Sequence, residues 1–270
     1  MFVDTHCHLD FEAFDQDRSE VIRRAREIGI YRMLNPGIDI SSSLAAIRLA
    51  ETFADVNAAV GVHPNSSTSW TDGTADQLTQ LAQHEKVVAI GEIGLDYYRD
   101  RAPLDVQKFV LHRQLAIAAE VGLPVIIHMR NRIPQENQAS IDMLQILAEW
   151  CNRLKIDNSP LVNRPGVLHS FSSTTEDALQ AIELGFYIGI TGPITFKSAG
   201  QLQATVASIS IDHLLIETDA PFLTPHPHRS QRNEPAYVQL VAGKIADVQQ
   251  LPLEKVINGT TSNAEKLFNW

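Results

Sequence analysis

Cysteine is scarce: Cys7 and Cys151 are the only two in 270 residues. That excludes a disulfide framework and fits a reducing compartment. Cys7 falls in a predicted strand, where a buried filler is the plain reading. Long apolar runs are missing too. No stretch approaches the roughly 18 residues of a membrane span, and the opening MFVDTHCHLD has neither the charged nor the apolar region of a signal peptide. A cytoplasmic protein without membrane attachment is expected. Positive charge is in deficit, with 22 Lys and Arg against 32 Asp and Glu and a net charge of −10. A broad basic surface that coats nucleic acid is therefore excluded, and any phosphate chemistry has to be local. The acidic surplus serves solubility in general, while carboxylates gathered at one point can hold divalent cations. No linker or low-complexity run divides the chain, so residues 1–270 are expected to form one domain, with a monomer as the default.

What is present is alternation. Short β-branched or apolar runs are each followed by a longer amphipathic stretch, the pattern of repeated βα units around a parallel sheet. Strands are predicted at Phe2–His8, Tyr31–Pro36, Ala58–His63, Val87–Gly91, Pro124–His128, Gly166–His169, Phe186–Ile190 and His213–Glu217. Helices are predicted at Phe14–Ile28, Ser41–Phe53, Ala75–His84, Pro103–Val121, Ser140–Leu154, Thr175–Leu184, Gly200–Ser208 and Glu234–Val248, with a closing helix at Thr261–Phe268. Pro103 suits a helix start, and Gly29, Gly122 and Gly185 follow helical stretches where a left-handed residue is wanted. Asn152–Pro165 and Asn131–Gln138 are expected to be irregular. Eight βα units in a chain of this length predict an α/β fold, the (β/α)8 TIM barrel.

In such barrels the active site gathers at the C-terminal strand ends. Of the ten histidines, His6, His8, His63, His128 and His169 are predicted there, and so are Glu92 and Asp219. Alternation along a strand aims His6 and His8 at one face. A lone histidine at a strand end is ordinarily a hydrogen-bonding residue, but so large a set with two carboxylates suits zinc, manganese or iron. Glu92, between Gly91 and Gly94 at the end of an apolar strand, is costly to bury unless a salt bridge or a pair of cations holds it. Asp219 follows Glu217 out of another apolar strand, with the same facing.

Seven pieces in barrel order carry a resemblance: D-T-H-C-H-L-D at Asp4–Asp10, G-V-H-P at Gly61–Pro64, G-E-I-G-L-D at Gly91–Asp96, H-M-R at His128–Arg130, V-L-H-S-F at Val167–Phe171, E-T-D-A-P at Glu217–Pro221 and R-N-E-P at Arg232–Pro235. Over nearly the whole length the chain resembles the TatD family of metal-dependent deoxyribonucleases, within the amidohydrolase-like barrels. The resemblance implies that His6 and His8 bind one metal, that Glu92 bridges, and that His128 and His169 bind a second. It further implies that Asp219 joins the first metal and handles the attacking water. His63 then contacts the substrate phosphate or the leaving group, or else only shapes the loop before Pro64. The chain departs from the family at Ser173 and Ser230, where glycine is usual, and in a longer interval between His128 and His169.

Two divalent ions (Mg, Mn or Zn) roughly 3.5–4 Å apart would activate a shared water for in-line displacement at phosphorus. Arg130, Lys197, Arg229 and Arg232 are candidates to hold phosphate oxygens, and Tyr97 or Tyr98 to stack on a base. The function expected is a deoxyribonuclease, with DNA as substrate, cut from an end or as single strands. Two alternatives are an ester or amide hydrolase, such as a D-aminoacyl-tRNA deacylase, and a scaffold that binds metal without turnover. Structural zinc sites are usually rich in cysteine, which disfavours the scaffold.

Overall fold

The structure, a computed structural model, describes residues 1–133 and 136–270. Its sheet has eight parallel strands in sequential order: β1 (Phe2–Asp4), β2 (Ile30–Pro36), β3 (Val56–Val60), β4 (Val87–Asp96), β5 (Val125–Arg130), β6 (Gly166–Leu168), β7 (Tyr187–Ile190) and β8 (Leu214–Ile216). Backbone bonds from Thr5 N to Ile216 O and from His8 N to Ala220 O bring the last strand back to the first, together with an isolated parallel bridge between Cys7 and Ala220. The predicted (β/α)8 barrel is what forms. Around it lie α1 (Arg18–Glu27), α2 (Ile40–Thr52), α3 (Thr74–Leu81), α4 (Leu104–Val121), α5 (Gln138–Ile156), α6 (Thr175–Glu183), α7 (Gly200–Ser208), α8 (Val238–Gln249) and α9 (Leu253–Phe268). Among the described residues, no helix is long and apolar enough to cross a membrane.

Strands covered on both faces read as unbroken apolar runs, and every residue of β3 and β4 is buried. One apolar cluster joins Val3, Leu34, Ala59, Ala89, Ile126, Val167 and Leu215 to Ala264, Leu267 and Phe268. Its helical members come from α9 alone, so it fills the barrel interior and α9 plugs the end opposite the site. The larger cluster packs the outer strand faces against the other helices, with Phe14, Ile22, Met33, Leu111, Leu115 and Phe186 among its buried members.

Several predicted boundaries move, three of them in helices. The closing helix begins at Leu253, not Thr261, because Gly259 sits inside it: a Cβ there would meet Ile211 at 2.9 Å, and this close approach outweighs the weak helix preference of glycine. The irregular stretch expected from Asn152 is partly helix, since the buried Trp150, Cys151 and Leu154 anchor one face of α5, which runs to Ile156 before a 3-10 turn at Pro160–Asn163. The first helix starts at Arg18, after a separate 3-10 turn at Glu12–Phe14. Of the segment expected to be irregular at Asn131–Gln138, Pro134 and Gln135 lie outside the described residues, and α5 starts at Gln138. Gly29, Gly122 and Gly185 have φ of 89°, 72° and 94°, as the helix ends require. Ser173 is put to use: its hydroxyl meets Ser140 Oγ at 2.9 Å and donates to the Asp177 carboxylate.

Candidate metal centre

The predicted strand at Val87–Gly91 runs on to Asp96, ten residues in all, and this extension brings Glu92 and Asp96 onto the sheet. Gly94 makes it possible. At φ 150°, a Cβ there would lie 1.9 Å from His128 O, so β4 and β5 approach closely enough that only glycine fits. His128 thereby stands beside Glu92.

The Glu92 carboxylate is divided between two groups of histidines. Its Oε1 lies 2.7 Å from His128 Nδ1 and 3.6 Å from His63 Nε2, while Oε2 lies 3.5 Å from His6 Nε2 and 3.7 Å from His8 Nε2. Asp219 Oδ1 lies 3.8, 3.5 and 3.7 Å from the Nε2 atoms of His6, His8 and His169. His6 and His8 have their Nε2 atoms 3.2 Å apart, as the alternation of facing requires, although regular pairing of β1 ends at Asp4. Asp219 sits at φ 55°, a left-handed turn that aspartate tolerates better than most residues and that brings its carboxylate back over His6 and His8.

The histidines are grouped differently from what the resemblance implies. His169 stacks on His6 with ring centroids 3.4 Å apart, and His63 packs edge-on against His128 at 4.4 Å. His63 thus neighbours His128, while His169 lies on the His6 side. His63 Nδ1 accepts from Asn65 N at 3.0 Å, which shapes the loop, and its Nε2 faces Glu92.

Further carboxylates orient the rings. Glu217 Oε2 lies 2.7 Å from His169 Nδ1 and accepts from Ser170 N at 3.0 Å. Asp96 Oδ2 lies 3.3 Å from His128 Nε2 and accepts from Asn65 Nδ2 at 3.0 Å. A carboxylate behind an imidazole fixes its tautomer and angle. Asp4, beneath the site, accepts from Thr218 N and Thr218 Oγ1 at 3.0 and 2.6 Å, tying the first strand to the segment after the last. Sequence reading gave Asp96 and Asp4 no role. For Asp96 a signal existed, because it stands four residues beyond Glu92 and shares its facing.

Burial and charge compete throughout. Burial would raise the Glu92 carboxyl, yet His63, His128 and His6 hold it well below the ordinary value. Asp219 is likewise lowered, with burial opposed by His8, His169 and His6. Burial also resists charge on His128 and His169, but Asp96 and Glu92 lift the first to about 9, and Glu217, Asp219 and Glu92 lift the second to about 9. His63 is pushed down to about 3 by burial and by its neighbour His128.

These side chains fit divalent cations. A tetrahedral ion with bonds of about 2.0–2.2 Å separates its ligand atoms by roughly 3.3–3.6 Å. The distances from His6 Nε2 and His8 Nε2 to each other, to Glu92 Oε2 and to Asp219 Oδ1 run from 3.2 to 3.8 Å, mostly long for hydrogen bonds. Imidazole and carboxylate donors have the right chemistry, and groups of three ligand atoms recur at His6, His8 and Glu92, and at His63, Glu92 and His128.

The predicted substrate contacts divide. The Arg130 guanidinium lies 4.1 Å from the ring of the exposed Tyr98, and Arg229 lies 4.0 Å from Phe196. Lys197 is exposed. Arg232 is engaged elsewhere: it pairs with both carboxylate oxygens of Asp17 at 2.8 and 2.7 Å and lies over Phe14. Tyr97 is buried, with its hydroxyl 2.5 Å from Asp142, and offers no face to a base.

A profile of the family described as TatD related DNase matches residues 3–269. The chain is 41% identical to the uncharacterized metal-dependent hydrolase YabD of Bacillus subtilis over 268 residues, 99% of each chain. It is 35% identical to the 3'-5' ssDNA/RNA exonuclease TatD of Erwinia tasmaniensis over 272 residues, covering 98% of this chain and 99% of that one. Among solved structures, the TatD homolog YjjV of Escherichia coli superposes with a TM-score of 0.89 at 30% identity, covering 100% of this chain and 98% of that one. From its first strand to its last helix, this chain belongs to the TatD family of metal-dependent hydrolases.

Proposed function

We propose that the chain is a two-metal phosphodiesterase that removes nucleotides from an end of single-stranded nucleic acid, with Mg, Mn or Zn as the ions. One observation carries the reading: Glu92 turns one carboxylate oxygen to His6 and His8 and the other to His128 and His63. Imidazoles at both oxygens of one buried carboxylate suit a bridging ligand, because each side offers nitrogen donors once metal has displaced their protons. The name of the Erwinia relative supports the substrate class.

His6, His8 and Asp219 would hold one ion, with His169 against them, and His128 and His63 would flank the other, while Glu92 contributes to both. When bound, such ions lower the pKa of a water between them and neutralise charge on the phosphoryl oxygens. Glu217 and Asp96 keep the His169 and His128 rings at fixed angles. Of the site carboxylates Asp219 is the most open, its side chain 15% accessible against 5% for Glu92 and none for Glu217. It is therefore the group placed to orient the attacking water and take its proton. Arg130 and Arg229, each lying on an aromatic ring, supply local positive charge for phosphate in a chain of net charge −10. Lys197 is a weaker candidate for the same task, and His63 is near enough to Glu92 to meet a phosphate oxygen or the leaving group.

End-labelled single-stranded DNA and RNA, incubated with the protein and Mn or Mg, should release mononucleotides, and His128→Ala should stop the release. Intact strands, alongside turnover of a D-aminoacyl-tRNA or a carboxylic ester, would transfer the same centre to acyl chemistry.

A further inference from the structure

The segment that leaves Asp219 exposes two apolar residues in succession. Phe222 is 51% and Leu223 37% accessible, against a chain whose large apolar side chains are otherwise mostly buried. Exposed apolar residues occur singly on any surface, but this pair is held in place. Phe222 N donates to Asp219 O at 2.8 Å, and the fully buried Asn233 donates through Nδ2 to Phe222 O at 2.6 Å and to Thr218 O at 2.8 Å. Leu223 takes a left-handed φ of 55°, and its carbonyl leaves no room for a side chain at Gly192. The fold thus presents the ring on a fixed backbone.

The ring also has a defined place. Its centroid is 6.4 Å from that of His8, and it meets Phe11 edge-on at 6.0 Å. Phe11 in turn stacks on His8 at 4.6 Å with an interplanar angle of 22°. The two phenylalanines form an aromatic corner directly over one of the ligand histidines, with Phe222 as its open face. Flat aromatic surfaces of this kind receive nucleobases without regard to sequence, because every base has a π face.

We infer that Phe222, braced by Phe11, is the platform on which the terminal base of a single-stranded nucleic acid stacks while the adjoining phosphodiester lies over Glu92 and Asp219. This rests on the phosphodiesterase reading above and adds to it a residue that sets which end-group is held. An abasic terminus has nothing to stack, and a duplex end keeps its terminal base paired. Both are then poorer substrates than a free single-stranded end.

The test compares kinetics of the metal-loaded enzyme on two oligonucleotides, identical except that one carries an abasic site as the terminal nucleotide to be removed. Wild type should prefer the normal end by roughly five-fold or more in kcat/KM, the scale of one base–aromatic stack. Phe222→Ala should raise KM on the normal oligonucleotide, leave kcat within about two-fold, and erase the preference by leaving the abasic substrate unchanged. Phe222→Trp should restore the preference. An unchanged preference in Phe222→Ala overturns the stacking inference and leaves the phosphodiesterase reading standing. Equal loss on both substrates also overturns it, by showing a role in the centre itself. Failure of wild type to cleave either strand removes the phosphodiesterase reading and this inference with it.

Discussion

At the scale of residues, the centre is a set of acid–histidine contacts whose protonation opposes metal binding. His128 and His169 are each lifted to about 9, above the ordinary 6.5, because their carboxylate neighbours outweigh the opposing effect of burial. A raised histidine value stabilises the folded, metal-stripped protein fully below about pH 6.5, and the contribution fades as pH climbs through 9. Neutral imidazole is the form that binds metal, so an ion held by these rings would have to displace those protons. Titration of stripped protein with Zn or Mn at pH 7, in buffers of different ionisation enthalpy, should show about two protons released per chain. Heat that is independent of the buffer would contradict the assignment. Glu92→Gln keeps the shape of the side chain but removes its charge, and should cost a factor of roughly 100 or more in kcat. Hydrolysis of single-stranded DNA near the wild-type rate would exclude a bridging role. Glu92 and Asp219 were legible in the sequence because an acid at the end of an apolar strand needs a partner. Tyr97 and Arg232 misled for a complementary reason. Alternation does not say which of two adjacent tyrosines faces outward, and the partner of Arg232, Asp17, lies on a distant part of the chain.

At the scale of elements, the close approach of β4 and β5 governs the site. Gly94→Ala would place a methyl group 1.9 Å from His128 O, and should destabilise the fold by at least about 1–3 kcal/mol while displacing His128 and lowering activity. Gly122→Ala is the control. Gly122 ends α4 at φ 72° with nothing near its Cβ position, so the change should cost about 1–2 kcal/mol and spare activity. Thermal melts with parallel assays on both variants check the pair, and equal effects on activity would contradict it. The alternation of strand and helix was readable because periods of 2 and 3.6 differ so clearly. The extension of β4 past Gly91 and of α9 back to Leu253 was not, since both depend on glycines whose neighbours, His128 and Ile211, come from other elements.

At the scale of the whole molecule, the proposed ligands come from the segment after the first strand through the segment after the last. Bound metal would therefore crosslink the barrel. Chelation should lower Tm by about 5 °C or more, reversibly on adding metal back, and an unchanged melt would contradict it. A protein of net charge −10 has little general attraction for a polyanion. With Arg130 and Arg229 as its phosphate contacts, log affinity for single-stranded DNA should fall against log salt with a slope of roughly −1.4, near −0.7 per phosphate. The most direct measurement is anomalous diffraction from crystals grown with Mn. Two peaks are expected on opposite sides of the Glu92 carboxylate, one towards His6 and His8 and the other towards His128. A fully loaded, active protein with no peak beside Glu92, or with a single peak shared by all these side chains, would contradict it.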